Sequence, residues 1–146
     1  MGKIFDTTAL QKLDEDLSKF SPEQCHQMMF NAVVAGANVL KYNTQLSLAT
    51  KMGPRASRKL RGRNVSLMDG VKISNDKTLC ESKVSISGFS RWFELGTDIR
   101  TTKKGYNRGQ ISAINFFATA RNSSDGAISS AIASSIENQL KRMTQS

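Results

Sequence analysis

The side chains best suited to catalysis or metal binding are few in this chain and are not spaced to act together. The single histidine, His26, follows Cys25 directly, and the other cysteine is Cys80. Adjacent residues of a helix point about 100° apart, so Cys25 and His26 do not share a ligand set. We expect no metal, no cofactor and no catalytic residue, and we interpret both cysteines as small buried hydrophobic residues.

Acidic residues and glycine patterns give no better support for an enzyme. Asp14, Glu15 and Asp16 are consecutive in a helical pattern, so their carboxylates diverge. The glycine patterns that bind phosphate or present a catalytic serine do not occur in the sequence. The sequence therefore predicts a protein without catalysis and without a small-molecule substrate.

Positive charge is the strongest functional signal. The net charge is +9, and residues 51–108 carry 14 Lys and Arg against 5 Asp and Glu. Two segments, 51–64 and 97–110, are predicted to be basic loops that contact a polyanion or an acidic protein surface. Their candidate contact residues are Arg55, Arg58, Lys59, Arg61 and Arg63 in the first loop, and Arg100, Lys103, Lys104 and Arg108 in the second. A merely solvated surface is the alternative.

No element typical of base-specific recognition accompanies these basic segments. The sequence lacks a basic recognition helix, a zinc finger and an aromatic RNA-binding motif. Contact with DNA would therefore be made to the phosphate backbone, without sequence preference and with strong salt dependence.

Two helices are predicted before the first basic loop. Apolar residues at spacings of three and four predict a short amphipathic helix over residues 7–19. Ser21, Pro22 and Gln24 then form a helix start with a capping box. The long helix that follows should run to Gly53 and Pro54, with small residues that allow close packing and an apolar stripe of Cys25, Met28, Met29, Ala32, Val33, Gly36, Val39, Leu40 and Leu46.

Alternating residues after the first basic loop predict a small antiparallel sheet. Val71 and Ile73 mark one strand, Val84 and Ile86 mark the next, and residues 74–77 are predicted to be the turn between them. We interpret residues 89–95 as a further strand, Cys80 as a strand residue and the surroundings of Leu60 as one helical turn. Residues 110–122 predict a short helix, and residues 123–143 predict a final helix with isoleucines four apart.

These elements predict an α+β fold in one domain, 1–146, in which the long N-terminal helix and the C-terminal helix pack on the small sheet. Residues 1–20 are expected to form a short helical arm. No run of apolar residues is long enough for a membrane span, and the N-terminus lacks a signal-peptide pattern. We expect a protein that is made in a cytoplasm and has no membrane partner.

The stretch RWFELGT, residues 91–97, contains the only tryptophan. We interpret Trp92 and Phe93 as core or interface residues, so that Trp92→Ala would cost about 3–5 kcal/mol if the ring is fully buried. Glu94 is expected either to form a surface ion pair with Arg91 or to orient a backbone or basic partner. Gly96 and Thr97 are expected to end the strand and release the chain into the second basic loop.

The order of these parts resembles the tail-completion, or head–tail joining, family of long-tailed bacteriophages. That family has an aromatic residue followed by a Glu-aromatic-Gly-Thr motif, which this chain approaches with Phe89, Phe93, Glu94, Leu95, Gly96 and Thr97. The family's later Pro-Phe-Leu-x-Pro-Ala segment corresponds to Phe116 and Phe117 in NFFATA. Both prolines are missing here, which indicates that the helix begins earlier, near Ile111.

The resemblance implies a non-enzymatic virion protein of the neck or tail. It implies a ring, expected to be a hexamer, that binds adjoining connector, neck and tail proteins and surrounds DNA in its lumen. The first alternative is a small basic DNA-binding accessory protein. A toxin-like or nuclease-related protein is a weaker one, since catalytic groups are not clustered.

Overall fold

The computed structural model describes residues 7–145 and has an α+β fold, as predicted. Five α-helices and one antiparallel hairpin follow one another along the chain. They are α1 (Thr7–Ser18), α2 (Pro22–Met52), β1 (Val71–Asp76), β2 (Glu81–Ile86), α3 (Phe89–Leu95), α4 (Phe116–Ser123) and α5 (Asp125–Thr144).

The start of α2 confirms the predicted capping box. The backbone N–H of Gln24 donates to Ser21 Oγ at 3.2 Å, and the Gln24 side chain accepts from the Ser21 N–H at 2.9 Å. Pro22 occupies the first turn, where its missing N–H is not needed. The helix ends at Met52, because Gly53 turns to a positive φ of 57°.

Helix α2 is the element on which the rest of the fold packs. It contacts α5, α4 and both strands of the hairpin. The predicted close approach is confirmed at Gly36, where an added Cβ would lie 3.0 Å from Ile132 Cγ1 and 3.1 Å from Ile128 Cγ2. Two members of the predicted apolar stripe were wrong, because Met29 and Leu46 are 57% and 50% exposed.

The hairpin has the predicted strands but a different turn. Val71 pairs with Ile86 and Ile73 pairs with Val84 in an antiparallel register. The turn occupies residues 77–80 instead of 74–77, because the ladder continues to the Asp76–Glu81 pair. Cys80 is therefore a turn residue with a positive φ of 52°, and the prediction of a strand there was wrong.

Residues 89–95 form the helix α3, so the prediction of a strand was wrong. Phe89, Trp92 and Phe93 follow the spacing of three and four residues that places side chains on one helical face. Ser90 and Glu94, also four apart, are the buried residues of α3. The Ser90 hydroxyl donates to Leu67 O and so ties α3 to the segment before β1.

Helix α4 begins at Phe116, so the expected start near Ile111 was wrong. Asn115 has a left-handed backbone with φ 48°, which no helix continues through. Residues before it pair with the end of α3: the Ile114 N–H donates to Phe93 O at 2.9 Å. The predicted final helix is confirmed as α5.

The buried core lies between the C-terminal half of α2, the hairpin and the start of α4. Its fully buried members are Leu48, Ala56, Leu67, Val71 and Phe116. Ala56 of the first basic loop is therefore fixed in the core, as is Leu67, which follows that loop. The helical turn of the loop lies at Gly53–Arg55, and the prediction of one around Leu60 was wrong.

Candidate functional site

Glu94 holds the beginning of α4 from outside that helix. Its side chain is only 6% exposed, and its two carboxylate oxygens accept from the backbone N–H groups of Phe117 at 2.8 Å and Ala118 at 3.0 Å. Asn115, in the N-cap position, makes no side-chain cap. A carboxylate satisfies the unpaired N–H groups of a first turn and interacts favourably with the helix dipole. The expected surface ion pair with Arg91 was therefore wrong, and orientation of a backbone partner is confirmed.

Gly96 and Thr97 close the base of the second basic loop. The Thr97 N–H donates to Ile111 O at 2.8 Å, and Thr97 Oγ1 accepts from the Ile111 N–H at 3.0 Å. Gly96 has φ 75°, and an added Cβ there would lie 3.0 Å from both Ala113 N and Ile111 O. Any larger residue at position 96 would push the two sides of the base apart.

We name residues 97–111 the arm, because they form an irregular hairpin that leaves the body of the protein. The Arg100 N–H donates to Gly109 O, the Arg108 N–H donates to Arg100 O, and the Thr102 N–H donates to Tyr106 O. All residues of 98–110 are exposed except Thr102, which is half-buried. The arm therefore presents four exposed basic side chains on a hydrogen-bonded backbone: Arg100, Lys103, Lys104 and Arg108.

The arm also exposes large apolar side chains. Ile99 is 61% exposed and Tyr106 is 70% exposed. Exposed aromatic and aliphatic residues beside arginines are typical of protein interfaces, since they lose water when a partner covers them.

The first basic loop forms a groove with an apolar floor and a basic rim, which we name the basic groove. It has a volume of about 370 Å³. The floor consists of Met52, Leu60, Leu67 and Phe93, and the rim consists of Arg55, Arg58, Lys59 and Arg61. All four rim residues are exposed, whereas Leu67 is 2% exposed.

The base of the arm borders a neighbouring groove, so the two basic segments lie at the same end of α2. This second groove, of about 380 Å³, is lined by Arg55 from the first loop, by Gln110 and Ile111 from the return of the arm, and by Phe93. Lys51 also crosses this boundary, since its ammonium donates to Ile114 O at 2.6 Å. Met52, Arg55 and Phe93 thus line both grooves.

Arg63 faces away from the basic groove toward the aromatic residues of α3. Its guanidinium lies 4.8 Å from the centre of the Phe89 ring, which is a cation–π contact. Phe89 in turn contacts Trp92 edge to face, with ring centres 4.8 Å apart. Trp92 is 44% exposed, so of the two predicted roles, core or interface, the core role was wrong and the interface role stays a prediction.

Trp92→Ala should therefore cost about 1 kcal/mol of unfolding free energy, well below the range for a buried aromatic ring. The ring loses its contact with Phe89 but leaves no internal cavity. Urea denaturation followed by circular dichroism would measure the change. A loss above about 3 kcal/mol would contradict this exposed position.

Among the described residues, the basic side chains of the basic groove and of the arm form no ion pairs with acidic side chains. In residues 7–145 the ion pairs within 4 Å join Lys19 to Asp16 and Lys83 to Glu81, outside the basic groove and the arm. Asp69 lies close enough to Lys59 for their charges to interact. Hydrogen bonds from the Ser66 N–H and hydroxyl, together with the charge of Lys59, hold the pKa of Asp69 below its usual range. Lys59 itself donates to the Asn64 side chain.

The chain was compared with protein-family models, with curated proteins and with solved structures. No match was found in any of the three. The function must therefore be inferred from the geometry of the chain itself.

The residues that could do chemistry lie apart from this surface. His26 Nε2 contacts Lys77 O at 2.6 Å and so links α2 to the hairpin turn, while the Cys25 thiol contacts Leu17 O at 3.7 Å. Both cysteines are half-buried free thiols. Across residues 7–145, no group of three His, Cys, Asp or Glu side chains could hold a metal ion. In the same part of the chain, every helix is too short or too polar to cross a membrane.

Sequence reasoning identified the rim of the basic groove but missed its floor. Met52 and Leu60 lie among lysines and arginines, where isolated apolar residues look incidental. Their common signal is that each directly follows a lysine in a loop rich in basic residues. Only the return of the chain through Leu67 and α3 brings them together with Phe93.

Proposed function

We propose that this chain is a structural subunit of a bacteriophage neck or tail. It forms a ring, expected to be a hexamer, that joins the head connector to the tail, and it performs no catalysis. Its residence is the virion, after synthesis in the host cytoplasm.

The supporting observation is that the motif residues hold the start of α4 and the base of an exposed arm. Glu94 fixes the start of α4, while Gly96 and Thr97 fix the base of the arm against Ile111. The Glu94 carboxylate and the Thr97 hydroxyl are both engaged in hydrogen bonds within the fold. A motif with that role fits a protein whose function is contact with other proteins, and the exposed Ile99 and Tyr106 give the arm an apolar contact surface.

The alternative is a small DNA-binding protein that contacts the phosphate backbone. The arginine-rich rim favours it, because guanidinium groups form paired hydrogen bonds with phosphate. The two functions differ in their dependence on salt, because neutralising phosphates releases counterions and apolar protein contacts do not.

Light scattering coupled to size-exclusion chromatography separates the two functions. The chain, of 16.1 kDa, should elute as a multiple of that mass, and the multiple should persist between about 50 and about 200 mM salt. Duplex DNA added at about 200 mM salt should not co-elute. The alternative would be favoured by a monomer or dimer that binds duplex DNA at low salt. Its affinity for DNA should then fall by at least ~1,000-fold at higher salt.

A further inference from the structure

The basic groove is a preformed surface. Its floor residues belong to the hydrophobic core or pack against it: Leu67, Met52, Leu60 and Phe93. Backbone hydrogen bonds hold the loop that carries the rim, since the Leu60 N–H donates to Val65 O at 2.9 Å and the Met68 N–H donates to Ala56 O at 3.2 Å. A partner therefore finds the groove already shaped, which reduces the conformational entropy lost on binding.

The charge around the groove has one sign. Within residues 7–145, the lining of the basic groove and of the neighbouring second groove includes no acidic side chain. Lys59 interacts with the charge of Asp69. Arg55, Arg58 and Arg61 are exposed and form no ion pair in the same part of the chain. Their guanidinium groups are suited to carboxylates, which they bind through paired hydrogen bonds.

The apolar floor favours a peptide over a nucleic acid. A phosphate backbone would contact the arginines but has no apolar group to cover the floor. Single-stranded nucleic acids stack successive bases on aromatic side chains. Among the described lining residues, the floor has one aromatic ring, Phe93, beside the aliphatic and thioether side chains of Leu60, Leu67 and Met52. Apolar side chains of a peptide would cover this floor and lose water there.

Size and net charge define the occupant further. The two grooves, of about 370 and about 380 Å³, share Met52, Arg55 and Phe93 in their linings. Each volume lies at the lower end of the range of about 300–1,000 Å³ that is usual for ligand pockets, so each groove takes a few side chains and not the face of a folded domain. A second copy of this chain carries the same net charge of +9 and supplies no overall complementarity. The complementary occupant is a segment of a different, acidic protein.

We propose that the basic groove binds a linear acidic segment of another protein. Aliphatic or aromatic side chains of the segment pack on Leu60 and Phe93, and its carboxylates bind Arg55, Arg58 and Arg61. Because the linings are shared, the segment can continue past Arg55 into the second groove. This interaction rests on the proposed joining function and specifies the chemistry by which one adjoining protein is held.

A library of random peptides displayed on yeast provides the probe. The labelled full chain sorts the library at about 150 mM salt, where charges more than about 8 Å apart are largely screened. Enriched peptides should combine Asp or Glu with Leu, Ile, Phe or Trp. They should bind the variant with Arg58→Glu and Arg61→Glu at least ~10-fold more weakly, because like charges then face each other. Circular dichroism verifies that the variant is folded.

One enriched peptide, synthesised with a fluorescent label, separates the apolar from the charged contacts. Replacing its apolar residues by serine should raise the dissociation constant, measured by fluorescence anisotropy, by at least ~10-fold. Replacing its acidic residues by lysine should restore binding to the Arg58→Glu and Arg61→Glu variant, to within about threefold of the original pair. A folding defect in the variant could not produce this recovery. Lys103→Glu with Lys104→Glu changes the net charge equally, but at the arm, and should leave peptide binding unchanged.

Four outcomes would overturn the binding of an acidic segment. Enriched peptides might lack acidic or apolar residues, or bind the groove variant as tightly as the unaltered chain. Displacement of the peptide by single-stranded oligothymidine at about 150 mM salt would make the groove a nucleic-acid site. Dissociation of the self-associated chain by the peptide would assign the groove to a second copy. Failure of the proposed function itself has a different signature, the salt-sensitive complex of a monomer or dimer with duplex DNA.

Discussion

Replacing Glu94 by alanine should lower the free energy of unfolding by about 2–3 kcal/mol. The substitution removes both acceptors of the Phe117 and Ala118 N–H groups, which α4 cannot pair within itself. It also removes a negative charge from the positive end of the helix. Urea denaturation with two-state analysis measures the loss, and hydrogen exchange should report earlier opening of the first turn of α4.

Two further variants define the cause of that loss. Glu94→Gln keeps one acceptor oxygen without the charge, so about half of the loss should remain. Glu137→Ala removes an exposed carboxylate from α5 and should change stability by less than about 0.5 kcal/mol. Equal effects at positions 94 and 137 would mean that the contacts of Glu94 with α4 do not stabilise the fold.

Phe116→Ala should have the largest effect of any single truncation, about 3–5 kcal/mol. Phe116 has no exposed surface and packs in the core with Leu48, Leu67 and Val71. Removing its ring leaves a cavity at the junction of α2, α4 and the hairpin. The neighbouring Phe117→Ala is the matched control, because Phe117 is only half-buried and should cost clearly less. Comparable losses at the two positions, measured by urea denaturation, would contradict the burial of Phe116.

Local patterns predicted the long-helix start and the two paired strands. Ser21 and Gln24 cap one another across three residues, so the signal and the structure occupy the same few positions. Val71, Ile73, Val84 and Ile86 alternate because one face of the hairpin lies against α2. The sequence is therefore sufficient to predict an element when the residues that show the pattern are themselves the ones that form the element.

The errors fall where the decisive contact is distant. Residues 89–95 carry both an alternation and a helical spacing, and the buried contact of Ser90 with Leu67 selects the helix. The start of α4 depends on Glu94, which lies 23 residues from Phe117. Burial of Glu94 could not be read from its neighbours, because Arg91 and the basic arm made a surface ion pair look natural.

The candidate site was predictable in charge but not in shape. The sequence identified the basic side chains of both loops, because the arginines and lysines of each loop are close together along the chain. It did not reveal that Phe93 of α3 lines two grooves at the C-terminal end of α2. That arrangement depends on how α3 and the return of the arm meet the end of α2.

The hydrogen-bonded arm has a thermodynamic consequence for recognition. Restricting the backbone of one residue costs about 1–2 kcal/mol of conformational entropy, which is why flexible basic tails bind weakly for the surface they cover. In this arm the Thr97–Ile111 and Arg100–Gly109 hydrogen bonds restrict the backbone before any partner arrives. A partner that binds the arm does not have to order its backbone. Less conformational entropy is therefore lost on binding, and more of the contact energy contributes to affinity.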